Sequence, residues 1–206
     1  MIWIPASSRR GSNTGGGKLE YTARPGGACS AAVGGISYEG RPCVAGGYSL
    51  AAGGITLANQ AVTLVFVNPI ASPNLDLEFR RFWINQSNNM ASVNLRYQIN
   101  TQVTAFPTLV SQTPAKLAIA DAASIITGNT TGAAGTCGIN ASAEGAGTKT
   151  IIWADSFNTT NGALLVLTPE EIIEMAAGAA SGLGLHLPVA PGTLTNWAFG
   201  CTWTEG

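Results

Sequence analysis

The chain has 206 residues, 46% of them apolar and 10% charged, with 26 glycines and a formal net charge of −1. That length accommodates one β-sandwich domain with an appendage and a sizeable core. Ample apolar content with few charges is the reverse of a disordered composition, and no dense basic stripe marks a nucleic-acid binder. Charge so far below the usual quarter leaves two ways to solvate a surface: polar Thr, Asn, Ser and Gln, or cover by partners.

Residues 1–54 hold 13 of the 26 glycines, with pairs at Gly26-Gly27, Gly34-Gly35, Gly46-Gly47 and Gly53-Gly54. The spacing is too irregular for a solenoid, and the glycine density makes ordering costly. The segment still carries separated anchors: Trp3, Ile4, Tyr21, Val33, Ile36, Tyr38, Val44 and Tyr48. It reads as an extended arm that orders against a neighbour; the alternatives are a leader without structure or a few irregular strands of the same domain. Residues 1–41 carry Arg9, Arg10, Lys18, Arg24 and Arg41 against Glu20 and Glu39, a local +3, whereas residues 117–206 sum to −6. A basic arm and an acidic body attract each other between copies. Trp3, Arg9, Arg10, Lys18, Tyr21 and Arg24 are therefore the candidate contacts to a neighbouring subunit or other partner surface. Met1–Pro5 lacks the pattern of a secretory signal. Arg9-Arg10 is followed by Gly and Ser where a twin-arginine signal needs an apolar stretch. The expectation is a soluble protein made in a cytoplasm, with no membrane segment.

From Ala61 the texture is strand and turn. Ala61–Val67 is β-branched and apolar and stops at Asn68-Pro69. Leu75–Asn85 alternates, with a phase shift at Arg81-Phe82 that predicts a bulge. Ala91–Val103 alternates Val93, Leu95, Tyr97 and Ile99 against Gln98, Asn100 and Gln102, a strand with one wet side. Thr104–Thr136 reads as a long connection with a short helix over Ala115–Ile126, and Thr127–Thr148 as a surface loop. Thr150–Ala154 and Ala163–Leu167 read as strands, the second introduced by an Asn161-Gly162 turn.

Pro169–Ala177 is the best helix candidate: Thr168 can cap it, Pro169 suits the first position, and Glu170 and Glu171 favour the N-terminal dipole. An irregular corner is the alternative. Gly182–Val189 alternates Leu183, Leu185 and Leu187 against Gly184, His186 and Pro188. In Asn196–Glu205, Trp197, Phe199, Cys201 and Trp203 share one face, which predicts a central, half-buried closing strand. Six or more amphipathic strands joined by long loops imply an all-β fold: a jelly-roll-like antiparallel β-sandwich over residues 55–206 behind the Gly-rich arm of residues 1–54.

No constellation for chemistry is legible. The one histidine, His186, lies on the face opposite three leucines and reads as a surface or interface residue. Asp76 and Glu78 share a strand face beside Arg80 and Arg81 and read as solvated charge, as do Glu170, Glu171 and Glu174 in a first helical turn. Gly15-Gly16-Gly17-Lys18 lacks the spacing of a phosphate loop. Cys29, Cys43, Cys137 and Cys201 make no zinc signature. They read as reduced structural thiols, with a Cys29–Cys43 bridge as the alternative. No catalytic residue, metal ligand or cofactor is expected.

Several segments nevertheless form a recognisable set. They are Leu77–Gln102 with Glu78-Phe79-Arg80-Arg81-Phe82 leading to Asn85-Gln86-Ser87, then Thr113-Pro114-Ala115-Lys116-Leu117, the Thr/Gly-rich loop and Phe157-Asn158. Leu167-Thr168-Pro169-Glu170-Glu171, a leucine strand and a closing aromatic strand ending at Glu205 complete it. Over residues 61–206 the chain resembles jelly-roll virion proteins of tailed bacteriophages, in particular head-decoration or cement proteins. The resemblance implies a structural, non-enzymatic protein on the outer capsid surface of the virion. Its partners would be the major capsid protein and itself as a homotrimer, with neither nucleic acid nor membrane bound. A tail- or fibre-associated trimeric module that binds a receptor or carbohydrate is the alternative.

Overall fold

The computed structural model describes residues 46–58, 63–70, 76–87, 92–176 and 181–205. Among these residues there are thirteen strands and no helix. They are β1 (Gly46–Ile55), β2 (Thr63–Val67), β3 (Leu77–Gln86), β4 (Asn94–Val103), β5 (Thr108–Ser111), β6 (Ala115–Lys116), β7 (Thr127–Gly128), β8 (Thr136–Ala143), β9 (Thr148–Asn158), β10 (Ala163–Val166), β11 (Ile173–Met175), β12 (Ser181–His186) and β13 (Trp197–Glu205).

Four antiparallel pairs nest in chain order: β1 with β13, β2 with β12, β3 with β10 and β4 with β9. The chain is thus one long ladder of strand pairs. Rolling that ladder up brings β13 beside β3 and β12 beside β4, which is the jelly-roll wrap. Sheet I runs β10-β3-β13-β1-β6 with β11 also on β3, and sheet II runs β5-β8-β2-β12-β4-β9 with β7 beside β8. The insertion β5–β8 between β4 and β9 widens both sheets on one side.

The closing strand is central, as its alternation implies: β13 lies between β3 and β1, and Trp197, Phe199, Cys201 and Trp203 are fully buried. They pack against Tyr48, Leu50, Phe79, Phe82 and Ile84 from sheet I and Val65, Val67, Tyr97, Ile99, Leu183 and Leu185 from sheet II. The bulge in β3 falls at Arg80, the residue skipped between Thr202↔Arg81 and Trp203↔Phe79, one position before the phase shift seen in the sequence.

Four expectations are corrected. Residues 46–54, assigned to the arm, are strand: β1 pairs with β13 from Gly46↔Glu205 to Ile55↔Trp197. Tyr48 and Leu50 alternate into the core; Gly46 leaves room for the Tyr48 ring, and Gly54, at φ 68°, sits where the register shifts between Ala52 and Ile55. Pro169–Ala177 forms no helix over its described residues. Thr168 makes a turn with Glu171, accepting its N–H at 3.0 Å; Ile173 and Met175 then pair with Phe79 and Leu77, so tertiary pairing overrides a short local helix signal. Ala115–Ile126 is β6 followed by turns. Within Thr127–Thr148, Thr136–Ala143 is a strand paired with β2.

The insertion covers the outer face of sheet II around β2 and β12. Phe66 points away from the main core and lies over Gly182, where a Cβ would sit 2.2 Å from its ring. Phe106, Leu109, Ala141 and Ala58 close over Phe66 as a second apolar cluster. For this reason both faces of β12 are buried, not only the leucine face. Among the described residues, sheet I has no comparable cluster on its outer face.

Candidate functional site

One cluster of ionisable and hydroxyl groups is assembled by the wrap. Thr63 opens β2 and pairs across with His186, which closes β12. The β8–β9 loop brings Glu144 over both. Glu144 accepts hydrogen bonds from the Thr63 N–H at 2.7 Å and the Thr63 hydroxyl at 2.6 Å. It also forms an ion pair with Lys149 and lies 3.4 Å from His186 Nδ1. Burial opposes ionisation of Glu144, but the donors on His186, Lys149 and Thr63 outweigh it and hold the carboxyl well below the ordinary range. The Gln102 amide adds hydrogen bonds to the Ala105 and Glu144 carbonyls.

A hydroxyl, an imidazole and a carboxylate are the parts of an acyl-transfer triad, yet their placement does not build one. The Thr63 hydroxyl stands 3.3 Å from His186 Nδ1, the same ring nitrogen that Glu144 approaches. A relay needs nucleophile and orienter on opposite nitrogens. The cluster instead clasps the β8–β9 loop onto sheet II. His186, expected as a surface or interface residue, is only 8% exposed and lies under the β8–β9 loop. Its partner Glu144 lies in a stretch with loop composition, so no local pattern announced the pair.

A second buried carboxylate closes the chain. Glu205 is 0% exposed and accepts hydrogen bonds from the Ser124 hydroxyl, the Ile125 N–H at 3.1 Å and Trp203 Nε1 at 3.1 Å. Next to it, burial foremost, then the charges of Glu205 and Asp121, push the Tyr48 hydroxyl up to about 12; that hydroxyl donates to the Ala122 carbonyl at 3.2 Å. Together these bonds pin the segment after β6 across the end of sheet I. The period-two pattern that buries Trp203 places Glu205 on the same face, so the signal was present in the sequence.

Trp3, Arg9, Arg10, Lys18, Tyr21 and Arg24, with Cys29 and Cys43, lie outside the described residues. Cys137 and Cys201 are free, buried thiols. Glu78 forms a surface ion pair with Arg80 and accepts from the Thr204 hydroxyl at 3.3 Å. Glu170 and Glu171 are exposed at the turn before β11. Among the described residues no group of three His, Cys, Asp or Glu side chains is placed to hold a metal ion. Comparison with protein-family models, with curated proteins and with solved structures found no match.

Among the described residues, no second apolar cluster covers the outer face of sheet I. In one row across four strands stand Leu164, Trp83, Gly200 and Ala51; in the next stand Val166, Arg81, Thr202 and Ser49. Leu164 is 63% and Val166 54% exposed. Gly200 has no side chain because Trp83 lies on it: a Cβ there would sit 2.2 Å from the indole and 2.4 Å from the Leu50 carbonyl. The face therefore has a raised half on β10 and β3 and a low half of small residues on β13 and β1.

Proposed function

We propose that this protein is a structural component of a tailed-phage virion: a decoration or cement protein that binds the outer surface of the head as a trimer and stabilises it. The observation that carries this reading is the jelly-roll wrap over the residues that resemble phage virion proteins. Jelly rolls recur in capsid and lectin domains, and because a fold alone does not fix a function, the resemblance is what favours the capsid reading. Low charge supports it further, since partners that cover the surface relieve the need to solvate it. Weak contacts repeated over a shell add up to firm attachment. The basic residues Arg9, Arg10, Lys18 and Arg24 supply the proposed contact to the major capsid protein. Quantitative mass spectrometry of purified particles tests this: copy numbers that match the shell lattice are expected. A handful of copies per particle would favour the tail-fibre module, and absence from the particle would refute both.

A further inference from the structure

The outer face of sheet I fits a second copy of itself, and we propose that two chains pair through it about a two-fold axis. The face is divided lengthwise. Leu164 and Val166 stand up on β10 and the Trp83 indole reaches from β3 over Gly200, while Ala51, Ser49, Ala198 and Thr202 form a trough on β13 and β1. Leu117, 60% exposed and 3.1 Å from a Cβ built on Gly47, walls the far side of the trough.

A two-fold axis parallel to the strands, between β3 and β13, turns the face over and keeps each row at its own level. It sets Leu164 of one copy over Ala51 of the other and Val166 over Ser49. Near the axis the two Trp83 rings, each lying flat on its own Gly200, meet one another. Each ridge enters the opposite trough, so one patch satisfies itself twice, as an isologous contact requires.

Charge is compatible with this pairing. Glu78, Arg80, Arg81 and Glu174 all stand on the raised half, and the trough residues Gly47, Ser49, Ala51, Ala198, Gly200, Thr202 and Thr204 carry none. Arg81 and Glu78 flank the axis as Trp83 does, so each lies across from its own image and, one row along the strand, from the opposite charge of the other copy. The 35 residues of β3, β13, β1, β10 and β6, each covering about 4.8 Å by 3.4 Å, give roughly 600 Å² in projection. Side-chain relief raises the accessible area toward the about 800 Å² per partner of a standard interface. Trp and Arg at its centre, with an aliphatic flank, are the residue types that dominate such contacts. The contact is two-fold, so it is distinct from any threefold one and makes the number of chains per particle even: a dimer, or a pair of trimers.

Sedimentation equilibrium on the full chain tests the pairing independently of any phage particle. The parent is expected at an even multiple of the chain mass. Leu164→Asp and Ala51→Arg, each alone, are expected to halve that mass by weakening association about tenfold or more. Mixing the two variants is expected to restore it. In the mixed pair one ridge–trough contact is untouched, and the other sets Asp against Arg. Ile152→Asp on β9 should leave the mass unchanged. A parent that is monomeric or trimeric, variants that keep the parent's mass, or a mixture that stays dissociated would overturn the proposal.

Discussion

Replacing Trp203 by Ala removes the largest contributor to one end of the core. The side chain is 0% exposed and packs its ring 6.2 Å from Tyr48 and 6.1 Å from Phe79, centre to centre. Emptying such a site costs about 3–5 kcal/mol. Trp203 Nε1 also donates to the buried Glu205, and leaving that carboxylate short of one donor adds roughly 1–3 kcal/mol. The two terms share a cavity and do not simply add, so the expected loss is about 5 kcal/mol. That is a large part of a total stability of about 5–15 kcal/mol. Trp203→Phe keeps most of the packing and loses the donor, so its expected loss is smaller, about 1–3 kcal/mol. Urea titration followed by fluorescence separates them. With a slope of about 2 kcal/mol/M, the Ala variant should unfold some ~2.5 M earlier than the parent and the Phe variant should fall between. If both variants unfold at the parent's midpoint, the inward face of β13 and the role of Glu205 have been misassigned.

The acid limb of stability should depend on Glu144. Its folded carboxyl titrates below its unfolded value, so its contribution is full above the ordinary glutamate range near 4.3 and is lost as pH falls through the lower folded value; Glu144→Gln should flatten that limb in thermal melts between pH 7 and pH 2. Cys137 and Cys201 should resist alkylation in the native protein and react on unfolding, as mapped by mass spectrometry. Burial foremost, with the charge of Glu205, pushes the Cys137 thiol up to about 12, and burial raises that of Cys201 as well. Deleting residues 1–45 should leave a folded sandwich, whereas deleting residues 1–54 should unfold it by removing β1 with Tyr48 and Leu50; circular dichroism and melting curves distinguish the two.

The parts of the fold visible in the sequence are those where side chains alternate against water. β13 and the leucine face of β12 show the period of two and lie where it implies; on β4 Tyr97 and Ile99 turn inward as expected, but Asn100 and Gln102, expected on a wet side, are buried, Gln102 donating to the Ala105 and Glu144 carbonyls. β1 was hidden because Gly46, Gly47, Gly53 and Gly54 frame only two inward residues, Tyr48 and Leu50, and glycine composition outweighed that short alternation. β8 was hidden for a related reason. Gly138 looks like loop composition, yet a Cβ there would meet Leu109 Cβ at 2.7 Å and the Val110 carbonyl at 2.8 Å, so its smallness answers to packing. The helix signal at Pro169–Ala177 was local capping chemistry, and Thr168 and Glu171 do use it, but for a turn. The Thr63–Glu144–His186 cluster joins residues up to 123 apart in the chain, and only the rolled topology brings them together. The relief of sheet I was equally silent, because it depends on which strands become neighbours.

The central claim, that this jelly roll is a structural part of a phage particle, is tested most directly by a cryo-electron density map of the particle that carries it. The expected result is a two-sheeted β-sandwich repeated on the outside of the head, at sites related by the symmetry of the shell, with residues 46–205 fitting the density. A head whose outer surface shows no such density, while the protein is present in the preparation, would contradict it.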